Sequence, residues 1–201
     1  MKEAVIVSTA RTPIGKAFRG AFNDTQAQEM AGHAIAEAVK RSKVSKEEID
    51  DVIIGAAGQQ GSQQGNIARQ SLLRAGLPVS VAGMSLDRQC ASGMMAIATA
   101  AKEITEDGMT ITIGGGVESV SLVRNENFRM DRARDPWLEE NIPALYMTMI
   151  ETAENVAKRY GISREAQDEY SLQSQMRTAR AQQNGYMDKE IVPLKSTMKY
   201  K

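Results

Sequence analysis

The feature that most constrains the fold is an alternation of short apolar runs with helical segments across the first half of the chain. Runs typical of buried strands occur at Ala4 to Ser8, Asp51 to Gly55, Val79 to Leu86 and Met109 to Ile113. Helices are predicted between these runs, from Thr25 (which opens a T-x-x-Q capping box with Gln28) to about Arg41, and from about Asn66 to Ala75. This alternation indicates βαβ units, so the sequence predicts an α/β fold with a largely parallel sheet.

The pattern changes after about Gly116. Residues 121–141 are charged and lack a clear period, and we expect Asp135-Pro136 to prevent a helix there. Two further helices are predicted, one from about Glu151 to Tyr160 and one from the cap Ser163 to Asn184, and Ile191 to Lys201 is predicted to open another strand. We therefore predict an α/β domain over residues 1–120 and a mostly helical region over residues 121–201.

Composition excludes several classes of function. The 201 residues carry 25 Lys and Arg against 25 Asp and Glu, and this balance argues against a nucleic-acid partner. No apolar run approaches the roughly 18 residues of a membrane span, and the first residues do not resemble a secretory signal. A single cysteine forms no internal disulfide, and Cys90 with His33 cannot build a metal site of four protein ligands. We predict a cytoplasmic protein without a metal, a membrane or a nucleic-acid partner.

The setting of Cys90 is the most informative local feature. The residues from Gln89 to Ala101 carry no charge, so we expect a helix buried on all sides, with Cys90 in its first turn. Small residues after the cysteine would let a substrate approach closely, while backbone N–H groups and the helix dipole would favour the nucleophilic thiolate. The alternative is a small buried residue with no chemical role, and periodicity does not decide between the two.

Four segments resemble, in the same order, the motifs of thiolases, the acetyl-CoA acetyltransferase family. They are Ala4 to Gly20, Asp87 to Met94 (DRQCASGM), Gly114 to Ser119 (GGGVES) and Thr152 to Gly185. The resemblance implies that Cys90 takes an acyl group from an acyl-CoA as a thioester. A second acyl-CoA, deprotonated at its α-carbon, then attacks to give a 3-ketoacyl-CoA, and the reverse reaction is thiolysis. It further implies that the Cys90 N–H contributes to an oxyanion hole, and that coenzyme A thioesters are substrates, with no cofactor.

The resemblance also implies a fold and a partner. A thiolase half is a layered α/β domain with a mixed, mostly parallel sheet and a helical loop domain inserted before its last strand. We expect residues 1–120 to form such a domain without its last strand, and residues 121–201 to form part of the loop domain. The family's activating histidine, second cysteine and water-positioning asparagine lie in motifs that this sequence does not contain. We therefore expect no activity from the isolated chain until a complementary C-terminal half, or a full-length thiolase subunit, completes a homo- or hetero-oligomer. Without such a partner, the segment from Gln89 to Ala101 would leave apolar surface exposed.

The sequence also supports expectations about the roles of Met149 and His33, and it leaves two competing functions open. Met149 is expected to line the pantetheine or acyl pocket, with core packing as the alternative. His33 lies in a polar stripe between Glu29 and Glu37, so we expect it to face solvent and to have no catalytic role. The competing functions are an inert thiolase fragment or non-catalytic interaction subunit, and a self-sufficient cysteine hydrolase, which would need His33 near Cys90.

Overall fold

The computed structural model of the protein describes residues 2–200. These residues form two compact units, one made of residues 2–128 and 190–200 and the other of Arg129–Lys189. The division at residue 120 that the sequence suggests remains a prediction about domains.

The first unit is built on a parallel sheet, as the alternation of strands and helices predicts. Three strands are present in the described residues, β1 (Asp51–Gly55), β2 (Ala82–Leu86) and β3 (Thr112–Gly116), in the order β2-β1-β3. The central strand β1 pairs in parallel with both neighbours, its last residue Gly55 lying opposite Leu86 and Gly116. Its continuous apolar sequence is typical of a strand covered on both faces. The α/β prediction is therefore confirmed.

Helices cover the two faces of this sheet. On one face, α1 (Ala27–Ser42) and α2 (Ile67–Arg74) pack with Val52 and Ile54 in the larger hydrophobic cluster. On the other face, α3 (Ser92–Thr105) packs its Ala96 and Ala100 against Ile53. Because side chains alternate along a strand, neighbouring residues of β1 fill two separate cores. The result is a layered arrangement of helix, sheet and helix.

The predicted first strand is wrong for this structure. Residues 4–8 have no strand assignment, and Val5, Ile6 and Val7 are exposed. Side-chain hydrogen bonds hold this end of the chain instead. The Ser8 hydroxyl donates to the Ala38 carbonyl oxygen at 2.7 Å, and the Lys2 ammonium group donates to two carbonyl oxygens near β3. An apolar run becomes a strand only when another strand pairs with it, and no described strand does so here.

The strand β3 begins three residues later than the sequence predicts. The N–H groups of Thr110 and Ile111 both bind the Asp50 carboxylate, at 2.7 and 3.1 Å, while the Ile111 carbonyl oxygen accepts from Asp50 N at 2.9 Å, so a side chain takes two of the backbone donors just before β3. These two bonds also lower the pKa of Asp50. The predicted capping box at α1 is likewise absent, because the Gln28 amide donates to Gln70 Oε1 at 2.6 Å and α1 begins at Ala27.

The second unit is helical, and two of its helices lie where the sequence predicts them. Its helices are α5 (Pro136–Asn141), α6 (Met149–Tyr160) and α7 (Arg164–Gln183), and α4 (Val120–Val123) precedes them in the first unit. The helix α6 begins at a capping box of Thr148 with Glu151 and ends at Gly161, and Ser163 caps α7. The expectation that Asp135-Pro136 prevents a helix is wrong. Asp135 accepts a hydrogen bond from Leu138 N, and Pro136 occupies the first helical position, where a missing N–H costs nothing.

The helix α3 carries a buried carboxyl group at its far end. Glu103 is 8% exposed, and its Oε2 has no hydrogen-bond partner among the described residues. Burial raises the pKa of Glu103, and the nearby charges of Asp51 and Asp107 raise it further. Burial also raises the pKa of Asp51. This end of α3 therefore favours a protonated carboxyl.

Among residues 2–200, no helix combines the length and the apolar character needed to cross a membrane.

Candidate active site

The candidate site lies where the three strands end. Because the strands are parallel, Gly55, Leu86 and Gly116 reach the same edge of the sheet. The ladder extends slightly beyond them, since Ala56 N donates to Leu86 O and Val117 N donates to Gly55 O, both at 3.0 Å. This carboxyl edge is where open α/β sheets usually bind ligands.

Cys90 lies on the loop that leaves β2 at this edge. Its side chain is exposed, so the alternative of a small buried residue is wrong. The predicted position between a strand and a helix is confirmed, but α3 begins at Ser92, which puts Cys90 two residues before the helix rather than in its first turn. The thiol therefore stands on a tight turn in front of a helix N-terminus, with access from solvent.

The turn before Cys90 is held by two side chains. Asp87 Oδ1 accepts a hydrogen bond from Gln89 N at 2.6 Å. The Ser92 hydroxyl accepts one from Arg88 N at 2.8 Å and donates one to Gln89 O at 2.6 Å. Gln89 has a φ of 50°, in the left-handed region that non-glycine residues rarely occupy. Asp87 and Ser92 are not among the residues predicted from the sequence, although the D-x-Q-C-x-S spacing is a signal for such a turn.

Glycines let the start of α3 lie directly on the sheet. A Cβ at Gly116 would lie 2.9 Å from Gly93 Cα, and a Cβ at Gly55 would lie 2.6 Å from Gly93 N. One turn later in α3, a Cβ at Gly114 would lie 2.7 Å from Ile97 Cα. Real Cβ atoms essentially never approach other atoms so closely. The backbone of α3 is therefore in contact with the backbone of β1 and β3, which fixes its position relative to the carboxyl edge.

A buried glutamine joins the loops after β1 and β3. Gln63 is 1% exposed, its Oε1 accepts from Ser119 N at 2.5 Å, and its amide donates to Glu118 Oε1 at 2.7 Å. The Glu118 carboxylate also accepts from Ala57 N at 2.9 Å and from Gly58 N at 3.2 Å. These bonds connect the two neighbouring loops at the carboxyl edge.

The outer face of α3 is apolar and open. Ser92, Ala96 and Ala100 are buried against the sheet, whereas Met94 is 72% and Ile97 is 48% exposed. The expectation of a helix buried on all sides is therefore wrong for this structure. The expectation that this segment leaves apolar surface exposed is confirmed.

His33 does not join the site. Its Nε2 lies 3.0 Å from the Pro193 carbonyl oxygen, and α1 lies on the sheet face opposite α3. The carboxylates of the predicted polar stripe form surface ion pairs, Glu37 with Arg41 and Glu29 with Arg74, and His33 between them is half-buried.

Met149 is the first residue of α6, in the second unit, and is 74% exposed. Among the described residues, no three His, Cys, Asp or Glu side chains are grouped in a way that would hold a metal ion.

Sequence comparisons with known proteins place the chain in a family. The sequence model described as "Thiolase, N-terminal domain" matches residues 4–201. The chain is 40% identical over 200 residues to a 3-ketoacyl-CoA thiolase of Bacillus subtilis, with 98% of this chain and 50% of that protein covered. It is 39% identical over 204 residues to an acetyl-CoA acetyltransferase of Cupriavidus necator, with coverages of 96% and 51%. It is also 39% identical over 209 residues to a beta-ketoadipyl-CoA thiolase of Acinetobacter baylyi, with coverages of 96% and 52%. The chain thus spans about half the length of the curated relatives it matches.

Proposed function

Because the chain belongs to the thiolase family through that family's N-terminal domain, we propose that it is the acyl-accepting part of an acyl-CoA C-acyltransferase, with Cys90 as the nucleophile. One observation carries the proposal. The single cysteine of the chain is exposed at the carboxyl edge of the sheet, directly before a helix. It lies on a turn that the side chains of Asp87 and Ser92 hold by hydrogen bonds.

The proposed first step is acyl transfer to sulfur. The Cys90 thiolate attacks the carbonyl carbon of an acyl-CoA, a new carbon–sulfur bond forms, and the carbonyl oxygen becomes an oxyanion that the Cys90 N–H stabilises. The bond to the coenzyme A sulfur then breaks, and coenzyme A leaves as a thiolate that takes up a proton. The N-terminus of α3, which begins two residues after Cys90, would also favour the negative charge of this oxyanion.

The second step needs a group that this chain does not supply near Cys90. Carbon–carbon bond formation requires a base that removes the α-proton of a second acyl-CoA before its α-carbon attacks the acyl-Cys90 carbonyl. The chain has one histidine and one cysteine, and that histidine contacts the Pro193 carbonyl on the other side of the sheet. We therefore assign the base to residues outside these 201, on the same polypeptide or on a complementary thiolase half or subunit.

Acylation of Cys90 tests the first step directly. The protein, alone and mixed with the C-terminal half of a thiolase relative, is incubated with acetyl-CoA, and peptide mass spectrometry locates the acetyl group. We expect one acetyl group per chain, on Cys90, and turnover only in the mixture. Cys90→Ala should lose both signals, while His33→Ala should keep them and serves as the matched control. Turnover by Cys90→Ala in the mixture contradicts the proposal.

Met149 is proposed to line the pocket for the acyl or pantetheine chain. Its exposed thioether is free to contact an apolar ligand. Met149→Ala should raise the KM for acyl-CoA in the mixture without changing the rate at which iodoacetamide alkylates Cys90. An unchanged KM would favour the packing alternative.

A cytoplasmic location suits this chemistry, because a nucleophilic thiol stays reduced there. Subcellular fractionation of the native protein tests this location.

A non-catalytic interaction subunit is the second candidate. The open apolar face of α3, with Met94 and Ile97, favours it, because such faces commonly mark interfaces. This candidate predicts self-association, or association with a thiolase subunit, together with no acetylation of Cys90 in any mixture.

A further inference from the structure

We propose that Ser92, together with Asp87, is a positioning residue that aims the Cys90 N–H at the acyl oxygen during acylation. The inference rests on the proposed function, and it adds two side chains that touch neither the substrate nor the sulfur. They act through the peptide group between Gln89 and Cys90.

The Ser92 hydroxyl makes its hydrogen bonds inside the turn, where it accepts from Arg88 N and donates to Gln89 O. The residue is 4% exposed, so water does not compete for its hydroxyl. The hydroxyl has one proton, which it donates to Gln89 O at 2.6 Å, whereas Asp87 Oδ1 lies farther away at 3.5 Å. Ser92 N donates to the same carbonyl oxygen at 3.1 Å. Two donors of one residue therefore hold the Gln89 carbonyl.

Holding this carbonyl fixes the neighbouring N–H. The peptide bonds of the described chain are all trans, and in a planar trans peptide the C=O and N–H groups point in opposite directions. Because Gln89 O points towards Ser92, the Cys90 N–H points away from it in one defined direction. A donor whose direction is set before the reaction stabilises an oxyanion more than one that must reorient.

The turn needs this support because its backbone conformation is unfavourable. Gln89 has a φ of 50°, which a non-glycine residue adopts only where its surroundings impose it. Asp87 holds the Gln89 N–H and Ser92 holds the Gln89 carbonyl. Removing either side chain lets Gln89 relax towards a common conformation, and that relaxation rotates the Cys90 N–H.

Two reactions of the same sulfur separate this role from a merely structural one. Acetylation by acetyl-CoA passes through an oxyanion, whereas alkylation by iodoacetamide occurs at a saturated carbon and does not. Ser92→Ala should slow acetylation of Cys90 by up to about 100-fold, the effect of losing one oxyanion donor completely, and should change the alkylation rate less than about threefold. Ser92→Thr keeps the hydroxyl and should recover most of the acetylation rate.

Ser85→Ala is the matched control. The Ser85 hydroxyl also accepts one backbone N–H, from Ala68 at 3.1 Å, and donates once, to Asn66 Oδ1 at 2.9 Å, but it does not contact the Cys90 turn. Both rates should stay unchanged in this variant. Should Ser92→Ala not fold, Asp87→Ala provides the same test, since Asp87 is exposed and holds the other end of Gln89.

The outcomes distinguish this inference from the function on which it rests. If the unsubstituted protein in the mixture is alkylated at Cys90 but never acetylated, the proposed function is wrong, and the inference with it. If the unsubstituted protein is acetylated, but Ser92→Ala and Asp87→Ala leave the ratio of the two rates unchanged, the positioning role alone is overturned. A selective loss of acetylation that Ser92→Thr restores supports it.

Discussion

Replacing Gly55 with alanine is expected to displace the start of α3 and, with it, the turn that carries Cys90. The new Cβ would lie 2.6 Å from Gly93 N and closer still to the Ser92 carbonyl group. Ordinary van der Waals contact begins at 3.4 Å, so the first turn of α3 has to move by about 0.8 Å (3.4 minus 2.6) or more. The atoms in the way are backbone atoms, which cannot rotate aside as a side chain would.

The size of this shift sets the expected effect. A misplacement of about 1 Å at a reacting group costs on the order of 100-fold in rate, and forcing an extra carbon into a packed contact costs about 1–3 kcal/mol. Gly55→Ala should therefore slow acetylation of Cys90 about 100-fold and lower the free energy of unfolding by about 1–3 kcal/mol.

The assay combines the time course of Cys90 acetylation with urea unfolding. Gly115→Ala is the control, because it lies on the adjacent strand and its Cβ would be 3.7 Å from Ile54 Cδ1, an ordinary contact. This variant should keep the acetylation rate and gain up to about 1 kcal/mol of stability, since alanine has less backbone entropy to lose on folding. A folded Gly55→Ala protein that is acetylated at the unsubstituted rate would refute the idea that this contact positions Cys90.

Three further predictions concern stability. Burial raises the pKa of Glu103, so the folded state holds this proton more tightly, and the unfolding free energy should fall as pH rises from the ordinary pKa of a glutamate through the raised pKa. Glu103→Gln should remove this loss and raise the urea midpoint at pH 7, and parallel pH profiles for both proteins would contradict the assignment. Thr148→Ala should cost about 1 kcal/mol in α6, seen as faster amide exchange in its first turn, and unchanged exchange would show that the cap contributes nothing. Gln63→Leu leaves buried partners unpaired and should cost about 1–3 kcal/mol in urea unfolding, whereas the exposed control Gln64→Leu should stay within about 0.5 kcal/mol.

The proposed chemistry depends on how the turn before α3 is built rather than on the thiol alone. The contact of the α3 backbone with the glycines of β1 and β3 sets the position of this turn. The hydrogen bonds of Asp87 and Ser92 set its internal geometry. Both features lie at the carboxyl edge, where the Gln63 and Glu118 bonds join the neighbouring loops. The two sets of contacts meet at Ser92, because its backbone lies against Gly55 and its hydroxyl holds Gln89, so Gly55→Ala tests the position of the whole turn and Ser92→Ala tests its internal geometry alone.

Local signals in the sequence predicted the helices of the second unit well. Gly161 ends α6 with a φ of 62°, and the Ser163 hydroxyl caps α7, as their residue types indicate. The same local reasoning failed at Asp135-Pro136, because a proline disfavours the helical conformation of the residue before it but fits the first helical position itself.

The sequence by itself determined the α/β class, the strand over Asp51–Gly55, the capped helices α6 and α7, and the position of Cys90 between a strand and a helix. Each of these follows from residues close together in the chain, whose spacing and backbone preferences act over one or two turns. Tertiary structure alone decided that residues 4–8 do not form a strand, that β3 begins after the Asp50 contacts, and that the start of α3 lies on Gly55. Strand pairing, carboxylate contacts to a distant backbone and the contact between two backbones depend on partners tens of residues away, so only the packed chain brings them together.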